Sequence, residues 1–543
     1  MLSRIRRPII NFIRKCQYST SIFNTETIKL HDMEEQVIIG GKDKFPLLSD
    51  GFKNIKNIGI IGWGSQAPAQ ACNLVETLSG TDIKVNVGLR EDSESFAKAE
   101  KYGFSRSRGN LGEMYQVASE SDMVLYLVSD YAQTQTYSEL FKHLKPNTTL
   151  GLSHGFLLGY FENNNIEFPD DINVVMVAPK GMGPSVREKY IDGSGINSSF
   201  AVQQDVNGLA TDHAISWAVA LGSPYIFNTT MRQEYISDLF GERGILLGAI
   251  YGMSEALYRY FLGNTTQSYK ERESYRSTAY NITGTISKEI SNKGLNGLYK
   301  NLGINSRPLF NKVFYNSYPA VRELLEEIYD EVYSGNEIRS VVLAGERLQK
   351  TPMTKIDTTS VWKIEKELRE QIYDLDYVEV IPAAIYTATM LAQVDILMER
   401  GHNYSEIANE SIIEALDSLN PYLHEKGISH MVDNCSTTAR LGARKWGPRF
   451  DYILSQTTLN RIYKTTDPYD ANAYVDNKLI NHPIHDILKT CNQYRNNVEP
   501  LGKRDTRGFF TYGGSDTEHQ PCETKDEKSY NYQGLACVGE RSP

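Results

Sequence analysis

Up to about Phe227, the chain alternates short apolar runs with longer mixed stretches of helical length. The apolar runs cover residues 58–61, 83–89, 123–128, 149–153 and 174–178. Most of these runs are continuously apolar, as buried parallel strands are, whereas the second one alternates apolar and polar positions. The pattern predicts an α/β domain with a doubly wound, Rossmann-type sheet.

Beyond Phe227 the apolar positions recur at helical spacing over long stretches, with few strand signals. We therefore expect a large all-α domain after the sheet domain. The pattern places the two domains at residues 26–228 and 229–499, and sets two terminal segments, 1–25 and 500–543, apart from them.

The terminal segments differ from the rest in composition. Residues 1–25 hold five basic residues, several hydroxyls and no acid, and they lack the continuous apolar stretch of a secretory signal. These traits predict a mitochondrial transit peptide, with a plastid leader as the alternative and a plain basic arm as a third possibility. Residues 500–543 are polar and aperiodic, which predicts a disordered tail.

Composition narrows the classes of function. With 40% hydrophobic and 23% charged residues, the chain has the composition of a folded globular protein. The 57 basic and 67 acidic residues give a net charge of −10, which argues against nucleic acid as the main partner. The longest apolar stretch that we identify, 244–253, is too short to span a membrane, so we expect no membrane partner.

A glycine-rich turn follows the first apolar run. Gly62, Gly64 and Ala67 form a GxGxxA pattern before a helical stretch. In a dinucleotide site the first glycine allows the turn, the second lets the backbone approach a pyrophosphate, and the small third residue permits close helix packing. Phosphate oxygens would then meet the N–H groups at the helix start. A purely structural turn is the alternative interpretation.

The next strand indicates which dinucleotide fits. It ends at Arg90, with Ser93 and Ser95 close behind. An NAD site has an acid here for the ribose 2′-hydroxyl, whereas an arginine with nearby hydroxyls suits a 2′-phosphate. The loop therefore predicts NADPH, although Glu91 and Asp92 could repel that phosphate.

Two further strand ends carry reactive side chains. His154 follows the run 149–153, and Lys180 follows the run 174–178. Ligands in such sheets bind at the carboxyl ends of the strands, so both residues are candidates for the site. The alternative is that each is a solvated loop residue.

Acidic residues recur at helical spacing in the second domain. Glu234, Asp238 and Glu242 stand at i, i+4 and i+8, just before an apolar stretch, and Glu410 and Glu414 form a second pair. Like charges at this spacing repel each other, so semi-buried acids of this kind need a cation. A solvated helix face is the alternative interpretation.

The ligand types indicate the metal. The sequence has no HxxxH, HExxH or CxxC pattern, so any metal would be held by oxygen atoms. Oxygen ligands on two helices suit Mg²⁺ better than zinc or copper, and the two groups of acids predict a pair of Mg²⁺ ions.

Long segments of the chain resemble ketol-acid reductoisomerase (acetohydroxy-acid isomeroreductase) in its plant-like and enterobacterial-like long form. The matching segments, between about residues 50 and 495, include GWGSQAPAQ, LGLSHGFLLG, PKGMGPSVR, QEYISDLFGERGILLGA, YSEIANESIIEALDSLNP and MVDNCSTTARLGARKWGPRFDYILSQ. The resemblance implies an NADPH domain, a large knotted helical domain, and one active site between them with two Mg²⁺ ions. We also expect a homodimer or a higher homo-oligomer.

The resemblance assigns roles to individual residues of the metal site. Asp238 would bridge the two ions, Glu242 would ligate one and Glu410 the other, with Glu414 close by. Glu242 or Glu414 could relay protons.

Other residues would surround the substrate and the cofactor. Ser436 would touch the substrate, while His154, Lys180 and Glu234 would line the site; Lys180 could stabilise an alkoxide. The turn residues Gly62, Gly64 and Gln66 match the cofactor turn, and Arg90, Ser93 and Ser95 match the 2′-phosphate loop. Ala67 and the acids Glu91 and Asp92 depart from the family pattern, which concerns cofactor affinity more than chemistry.

The reaction implied is an alkyl migration in an acetohydroxy acid, 2-acetolactate or 2-aceto-2-hydroxybutyrate. Reduction by NADPH follows and gives a 2,3-dihydroxy-3-methyl acid for valine, isoleucine and leucine synthesis. Two alternatives stay open. One is a metal-free NADP-dependent β-hydroxy-acid dehydrogenase with Lys180 as its acid/base, and the other is a non-catalytic NADPH-binding scaffold.

Overall fold

The computed structural model describes residues 21–264, 270–368, 377–462 and 468–494. Its first part contains a ten-stranded sheet. The strands are β1 (Glu26–Leu30), β2 (Met33–Ile39), β3 (Asn57–Ile61), β4 (Lys84–Leu89), β5 (Leu111–Glu113), β6 (Met123–Tyr126), β7 (Thr149–Leu152), β8 (Asn173–Pro179), β9 (Ser198–Gln204) and β10 (Tyr225–Asn228).

Six of these strands run parallel in the order β5-β4-β3-β6-β7-β8. This is the 3-2-1-4-5-6 order of a Rossmann fold, and the order reverses between β3 and β6. Strand β9 continues the sheet antiparallel to β8, β10 is parallel to β9, and the β1–β2 hairpin pairs antiparallel with β10. A crevice at the carboxyl ends of β3 and β6 is where such sheets bind ligands.

Helices cover both faces of the sheet. They are α1 (Leu48–Gly51), α2 (Ala67–Thr77), α3 (Ser95–Glu100), α4 (Met114–Glu120), α5 (Asp130–Lys142), α6 (Phe156–Asn164), α7 (Gly183–Asp192) and α8 (Ala210–Ala220). The strand pleat divides the apolar side chains between the faces: Ile60 and Leu125 pack in one core with Trp217, while Ile61 and Val124 belong to the other. That second core continues into the helical domain, so the two domains share apolar packing.

The second part is helical. Its helices are α9 (Met231–Arg243), α10 (Gly248–Asn264), α11 (Lys270–Tyr275), α12 (Ser287–Asn301), α13 (Arg307–Tyr333), α14 (Asn336–Leu348), α15 (Ser360–Leu368), α16 (Val380–Glu399), α17 (Tyr404–Ala408), α18 (Asn420–Lys426), α19 (Ile428–Asn434), α20 (Thr437–Ile453), α21 (Pro468–Val475) and α22 (Ile484–Tyr494). The predicted fold class, a Rossmann-type domain followed by a mainly helical one, is confirmed, and the knot stays a prediction.

The longest apolar segment is helix α16 and not the stretch 244–253 identified from the sequence. Helix α16 has the length and the mean hydropathy, 1.5, of a membrane span, and the sequence reading missed it. However, 89% of its apolar window is buried inside the protein, where α16 packs against α13. It is the central core helix of the helical domain.

Helices α17 and α18 belong to one continuous helical segment, residues 404–426. Two π-helical stretches, Asn409–Ile413 and Ala415–Leu419, connect them. Such wider turns inside helices are frequent at functional sites. These stretches include Glu410 and border on Glu414, and we call residues 404–426 the acidic helix.

The terminal segments fall mostly beyond the described residues. Residues 1–20 and 495–543 lie outside them, so the transit peptide and the disordered tail stay predictions. Phe23, which falls inside the predicted leader, is 2% exposed and packs in the sheet core, so the last residues of segment 1–25 are part of the folded domain. Strand β10 ends at Asn228 and α9 begins at Met231, around the predicted domain border.

Candidate active site

The turn after β3 has the geometry of a phosphate-binding loop. Gly62 has φ 108°, and a Cβ there would lie 2.9 Å from the Leu127 carbonyl oxygen, so the turn itself requires glycine. Gly64 is different, because a Cβ there would meet only ordinary contacts, at 3.6 Å. The protein's own packing therefore leaves space at Gly64, which is the space that a bound pyrophosphate would need.

Gln66 connects this turn to the loop of Lys180. Its side-chain amide donates to the Gly181 carbonyl at 3.0 Å, directly before α2 begins at Ala67. Gly183 packs against the Ser65 backbone, where a Cβ would come within 1.8 Å of the carbonyl oxygen. The phosphate turn and the loop after β8 are thus held together at one edge of the sheet.

The predicted 2′-phosphate residues lie together beyond β4. Arg90 is exposed and directly follows the strand, and the turn closes with the Ser93 N–H donating to the Arg90 carbonyl at 3.1 Å. Ser93 Oγ accepts the Ser95 N–H at 3.2 Å, at the start of α3. The arginine and both hydroxyls are therefore on one short loop that is open to solvent.

His154 and Glu234 meet where β7 ends and α9 begins. His154 Nδ1 lies 3.2 Å from a Glu234 oxygen and 3.4 Å from an Asp238 oxygen. The buried Glu234 carboxylate also accepts the Gly155 N–H at 2.8 Å. Burial alone would lower the pKa of His154, but the charges of Asp238 and Glu234 outweigh it and hold that pKa well above its usual value. The two carboxylates therefore favour the protonated form of His154.

Lys180 is buried among carboxylates. Its ammonium donates to Glu410 and lies 3.7 Å from a Glu234 oxygen, with its side chain 2% exposed. Burial alone would lower the pKa of Lys180, but the charges of Glu410 and Glu234 raise it above its usual value. These contacts join the sheet domain to α9 and to the acidic helix.

Asp238 and Glu242 occupy the next turns of α9 and are partly exposed, by 28% and 21% of their side chains. Burial and the charge of Glu234 raise the pKa of Asp238, against the pull of His154. Burial and the Asp238 charge raise the pKa of Glu242 to about 8, although Arg243 donates to its Oε2 at 2.7 Å. The two acids therefore repel each other in the metal-free protein.

The acidic helix brings Glu410 and Glu414 to the same place. Glu410 is fully buried, and burial with the charge of Asp238 raises its pKa to about 7 despite Lys180. Burial and the neighbouring Glu410 charge raise the pKa of Glu414 well above its usual value. Glu410 Oε2 is buried without a hydrogen-bond partner among the described residues. Such an oxygen is ready to bind a cation.

Ser436 is an exposed residue at the start of α20. Its hydroxyl caps the helix by accepting the Ala439 N–H at 3.0 Å. The preceding residue, Cys435, has its pKa raised to about 12 by burial and by the Glu242 charge, which places this corner of the helix close to α9. The hydroxyl has a structural role in this state, and substrate contact stays a prediction.

The sequence reading missed Glu406, a buried acid one turn before Glu410. Its carboxylate accepts the hydroxyls of Thr229 and Ser237, and its charge contributes to the raised pKa of Lys180. Glu406 extends the i, i+4 series of Glu410 and Glu414, so the spacing could have revealed it.

The donor set fits a divalent cation of the magnesium type. Four acids with raised pKa values, Asp238, Glu242, Glu410 and Glu414, come from two helices that face each other. Mg²⁺ binds oxygen ligands such as carboxylates and keeps some of its waters, which a partly open site with several acids allows. A second grouping, His154 with Glu234 and Asp238, has ligand atoms within 4.8 Å of one another. In its protonated form His154 has no lone pair for a metal, and its charge then offsets those of Glu234 and Asp238.

Family models cover most of the chain. The model of the NADPH-binding domain of acetohydroxy acid isomeroreductase matches residues 53–225, and that of the C-terminal domain of ketol-acid reductoisomerase matches residues 231–373 and 380–468. The chain belongs to the ketol-acid reductoisomerase family. Its activity is therefore an isomerisation coupled to NAD(P)H-dependent reduction, in branched-chain amino-acid biosynthesis.

Individual ketol-acid reductoisomerases are similar in sequence to this chain. The chloroplastic ketol-acid reductoisomerase of Spinacia oleracea is 49% identical over 501 residues, which cover 89% of this chain and 82% of the spinach protein. The mitochondrial ketol-acid reductoisomerase of Saccharomyces cerevisiae is 32% identical over 333 residues, 60% of this chain and 81% of the yeast protein.

A solved structure shares the fold. The NADH-preferring ketol-acid reductoisomerase from an uncultured archean superposes with a TM-score of 0.53 at 24% identity, and the match covers 62% of this chain and 99% of the archaeal one.

Proposed function

We propose that this ketol-acid reductoisomerase uses two Mg²⁺ ions, held by Asp238, Glu242, Glu410 and Glu414, and NADPH bound at the turn of Gly62 and Gly64. The observation that carries the proposal is the convergence of these acids with Lys180 and His154 at the strand ends beside the phosphate turn. In this arrangement Asp238 would bridge the ions.

The reaction needs charge control at adjacent oxygens. In 2-acetolactate the C2 hydroxyl loses its proton, the methyl group moves from C2 to C3 with its electron pair, and the C3 carbonyl oxygen takes up a proton. Two bound Mg²⁺ ions would supply Lewis-acid polarisation of these oxygens, and NADPH would supply the hydride for the new C2 carbonyl. The protein's own groups must move the protons.

Glu242 and Glu414 are the proposed proton carriers. Burial and the charge of Asp238 raise the pKa of Glu242 to about 8, and positive charge bound beside it would lower that pKa again, so its affinity for a proton would depend on the bound cations. Its Oε2 accepts from Arg243, so Oε1 is the oxygen that the proposal assigns to proton transfer. Glu414, on the acidic helix opposite α9, also has a raised pKa, because it is buried and lies beside the charge of Glu410.

Lys180 and His154 are the proposed cationic groups of the site. The ammonium of Lys180 would stabilise the alkoxide formed at C3, and the His154 imidazolium would hold Glu234 and Asp238 in place. Lys180 sits in a dry environment between both domains, where its charge acts most strongly. Ser436 would contact the substrate from the start of α20.

NADPH is the proposed cofactor because Arg90 stands where an NAD site has an acid, with Ser93 and Ser95 beside it. Gln66 would place the turn against the Lys180 loop. The family includes NADH-preferring members such as the archaeal relative, so this choice is a property to be measured for each chain.

Location and assembly complete the proposal. The basic, acid-free residues 1–25 support an organelle leader, for which we propose the mitochondrion. The plastid is the alternative, since the spinach relative is chloroplastic while the yeast relative is mitochondrial. We further propose a homodimer or a higher homo-oligomer, which light scattering would measure, and an acetohydroxy acid as substrate, with no nucleic-acid or membrane partner.

NADPH oxidation with 2-acetolactate tests this function. We expect turnover with Mg²⁺ and none with EDTA, whereas a metal-free β-hydroxy-acid dehydrogenase would keep its activity in EDTA. Glu242→Gln should lower turnover from 2-acetolactate by about 10²-fold or more, because a positioned proton carrier contributes that much. Supplying the rearranged 2-oxo acid directly then isolates the reduction step.

Glu255→Gln is the matched control. Glu255 lies on the next helix and pairs with Arg259 at 3.2 Å, as Glu242 pairs with Arg243, but it is not among the proposed ligands. Unchanged turnover of Glu242→Gln from both substrates would refute its proton role. Turnover in EDTA would refute the metal site.

A further inference from the structure

An acidic side chain stands inside the proposed 2′-phosphate loop. Glu91 directly follows Arg90, in the turn that Ser93 closes, and Asp92 adopts a left-handed conformation with φ 61°. The 2′-phosphate of NADPH carries about −1.5 to −2 charges near neutral pH. A free carboxylate beside Arg90 would cancel the arginine's charge and favour the uncharged ribose hydroxyl of NADH.

A residue from a separate segment engages this acid. Arg106 begins a short 3₁₀ turn, Arg106–Arg108, and its Nη2 donates to Glu91 Oε1 at 2.7 Å. The Arg106 guanidinium also lies over the Phe96 ring, 4.6 Å from its centre. Ser105 caps the turn by accepting the Arg108 N–H. Arg106 is thus oriented from two sides.

We propose that Arg106 is a specificity-determining residue for the 2′-phosphate, because it neutralises Glu91 and leaves the charge of Arg90 for the cofactor. This inference rests on the proposed choice of NADPH. With Arg106 in place, Arg90 and Arg106 together outweigh the charge of Glu91, and without Arg106 only Arg90 offsets it, while Asp92 is the same in both cases. The Phe96 ring contact restricts the guanidinium while it pairs with Glu91.

The size of the effect follows from exposure. The Arg106 and Glu91 side chains are 56% and 55% exposed, so water and salt screen their charges. We expect Arg106→Gln to raise the KM for NADPH by about three- to tenfold at low ionic strength, and the KM for NADH by less than about twofold. The difference should shrink at high salt.

A double-mutant cycle tests the mechanism. The variants are Arg106→Gln, Glu91→Gln and the double variant, measured by the KM and Kd of NADPH and NADH. The double variant should bind NADPH as tightly as Glu91→Gln does, since position 91 then carries no charge for Arg106 to neutralise. Arg108→Gln is the matched control, because Arg108 belongs to the same turn but donates to the Gly103 carbonyl, at 3.1 Å. It should change the KM for NADPH by less than about twofold.

Each outcome decides a separate point. An unchanged NADPH/NADH ratio in Arg106→Gln overturns the inference, and so does an equal loss in Arg106→Gln and Arg108→Gln. A loss that persists undiminished in the Glu91→Gln background also overturns it, because Arg106 would then act directly. A wild-type enzyme that prefers NADH overturns the proposed cofactor, while the coupling between positions 91 and 106 still reports on the inference.

Discussion

Lys180 is a buried ammonium surrounded by acids, and its positive charge offsets part of the negative charge of the site's carboxylates. It donates to Glu410 and faces Glu234, with Glu406 and Asp238 adding to the field that raises its pKa. Removing one partner of a buried ion pair costs more than the pair contributes, because the other charge stays buried. The ionised forms of the acids around Lys180 therefore depend on its positive charge.

We predict that Lys180→Met destabilises the metal-free protein by about 3–5 kcal/mol at pH 8. The loss should be smaller at pH 6. Without Lys180 the folded-state pKa of Glu410 rises further above its unfolded value, so the protonated acid is tolerated at low pH and stability is lost as pH rises. Urea unfolding in EDTA at both pH values measures the difference.

Lys142→Met is the control for that experiment. Lys142 pairs with Glu139 at 2.7 Å on the surface, with its side chain 68% exposed, so its removal should change stability by at most about 1 kcal/mol at either pH. An equal loss of stability at pH 6 and pH 8 in Lys180→Met would contradict the conclusion that the Lys180 charge lowers the pKa of Glu410.

Individual site residues could be predicted from the sequence to different degrees. His154 and Lys180 follow apolar runs, and the α9 acids stand at helical spacing, so both kinds of residue could be identified from local patterns. The sequence could not show that Lys180 pairs with Glu410, 230 positions away, because that contact depends on how the domains pack. The Glu91–Arg106 pair lies within the sheet domain, and the sequence could not show it because it depends on how the loop after β4 and the turn before β5 fold against each other.

The β1–β2 hairpin acts on the acidic helix as an element. Glu35 of β2 is buried and accepts the N–H of Tyr404 at 2.6 Å and that of Ser405 at 3.3 Å, at the first turn of the helix. Asp32 accepts the Tyr404 hydroxyl at 2.7 Å. A carboxylate at this position satisfies helix N–H groups that lack partners within the helix. The hairpin therefore fixes the start of the helix that carries Glu410 and Glu414.

We predict that Glu35→Ala lowers the free energy of unfolding by about 1–3 kcal/mol and weakens Mg²⁺ binding. Two N–H donors lose their acceptor, and the helix start becomes free to shift. Urea unfolding and a Mg²⁺ titration followed by calorimetry measure both effects. Glu34→Ala, an exposed acid on the same strand, should change stability by no more than about 0.5 kcal/mol. Identical Mg²⁺ affinity in Glu35→Ala and Glu34→Ala would contradict the predicted effect of the hairpin on the acidic helix.

Element types were predictable where burial is uniform. The parallel strands β3, β6, β7 and β8 are almost entirely buried and mainly apolar, and they were identified from the sequence, as was β4 from its alternation. The hairpin strands β1 and β2 alternate exposed and buried positions at the sheet edge, and they were missed because charged residues interrupt their apolar pattern. Strand β9 was missed for its small polar residues.

The acids of the candidate site lie where the sheet domain meets the helical domain, and the two domains share one apolar core. The apolar cluster that contains Ile61 and Val124 of the sheet also contains α9, α13 and α16. Neither domain could hold these charges alone, because Lys180 comes from the sheet and Glu410 from the helices. Packing of the two domains therefore brings together carboxylates that repel each other.

We predict that Mg²⁺ raises the thermal midpoint of the metal-free protein, and raises it more at pH 8 than at pH 6. The folded-state pKa values of Glu242 and Glu410, about 8 and about 7, lie above the ordinary value of 4.5. The folded protein therefore holds these protons at pH 6, and its stability is lost as pH rises through the folded-state pKa values. Ionised acids bind Mg²⁺ more tightly, so the gain from the metal grows over the same interval. At a hundred times its Kd the metal should contribute about 2.7 kcal/mol. Thermal melts in EDTA and in Mg²⁺ at pH 6, 7 and 8 measure this gain, with Glu410→Gln expected to flatten its pH dependence. A gain that is equal at all three pH values would refute the assignment of these acids to the metal site.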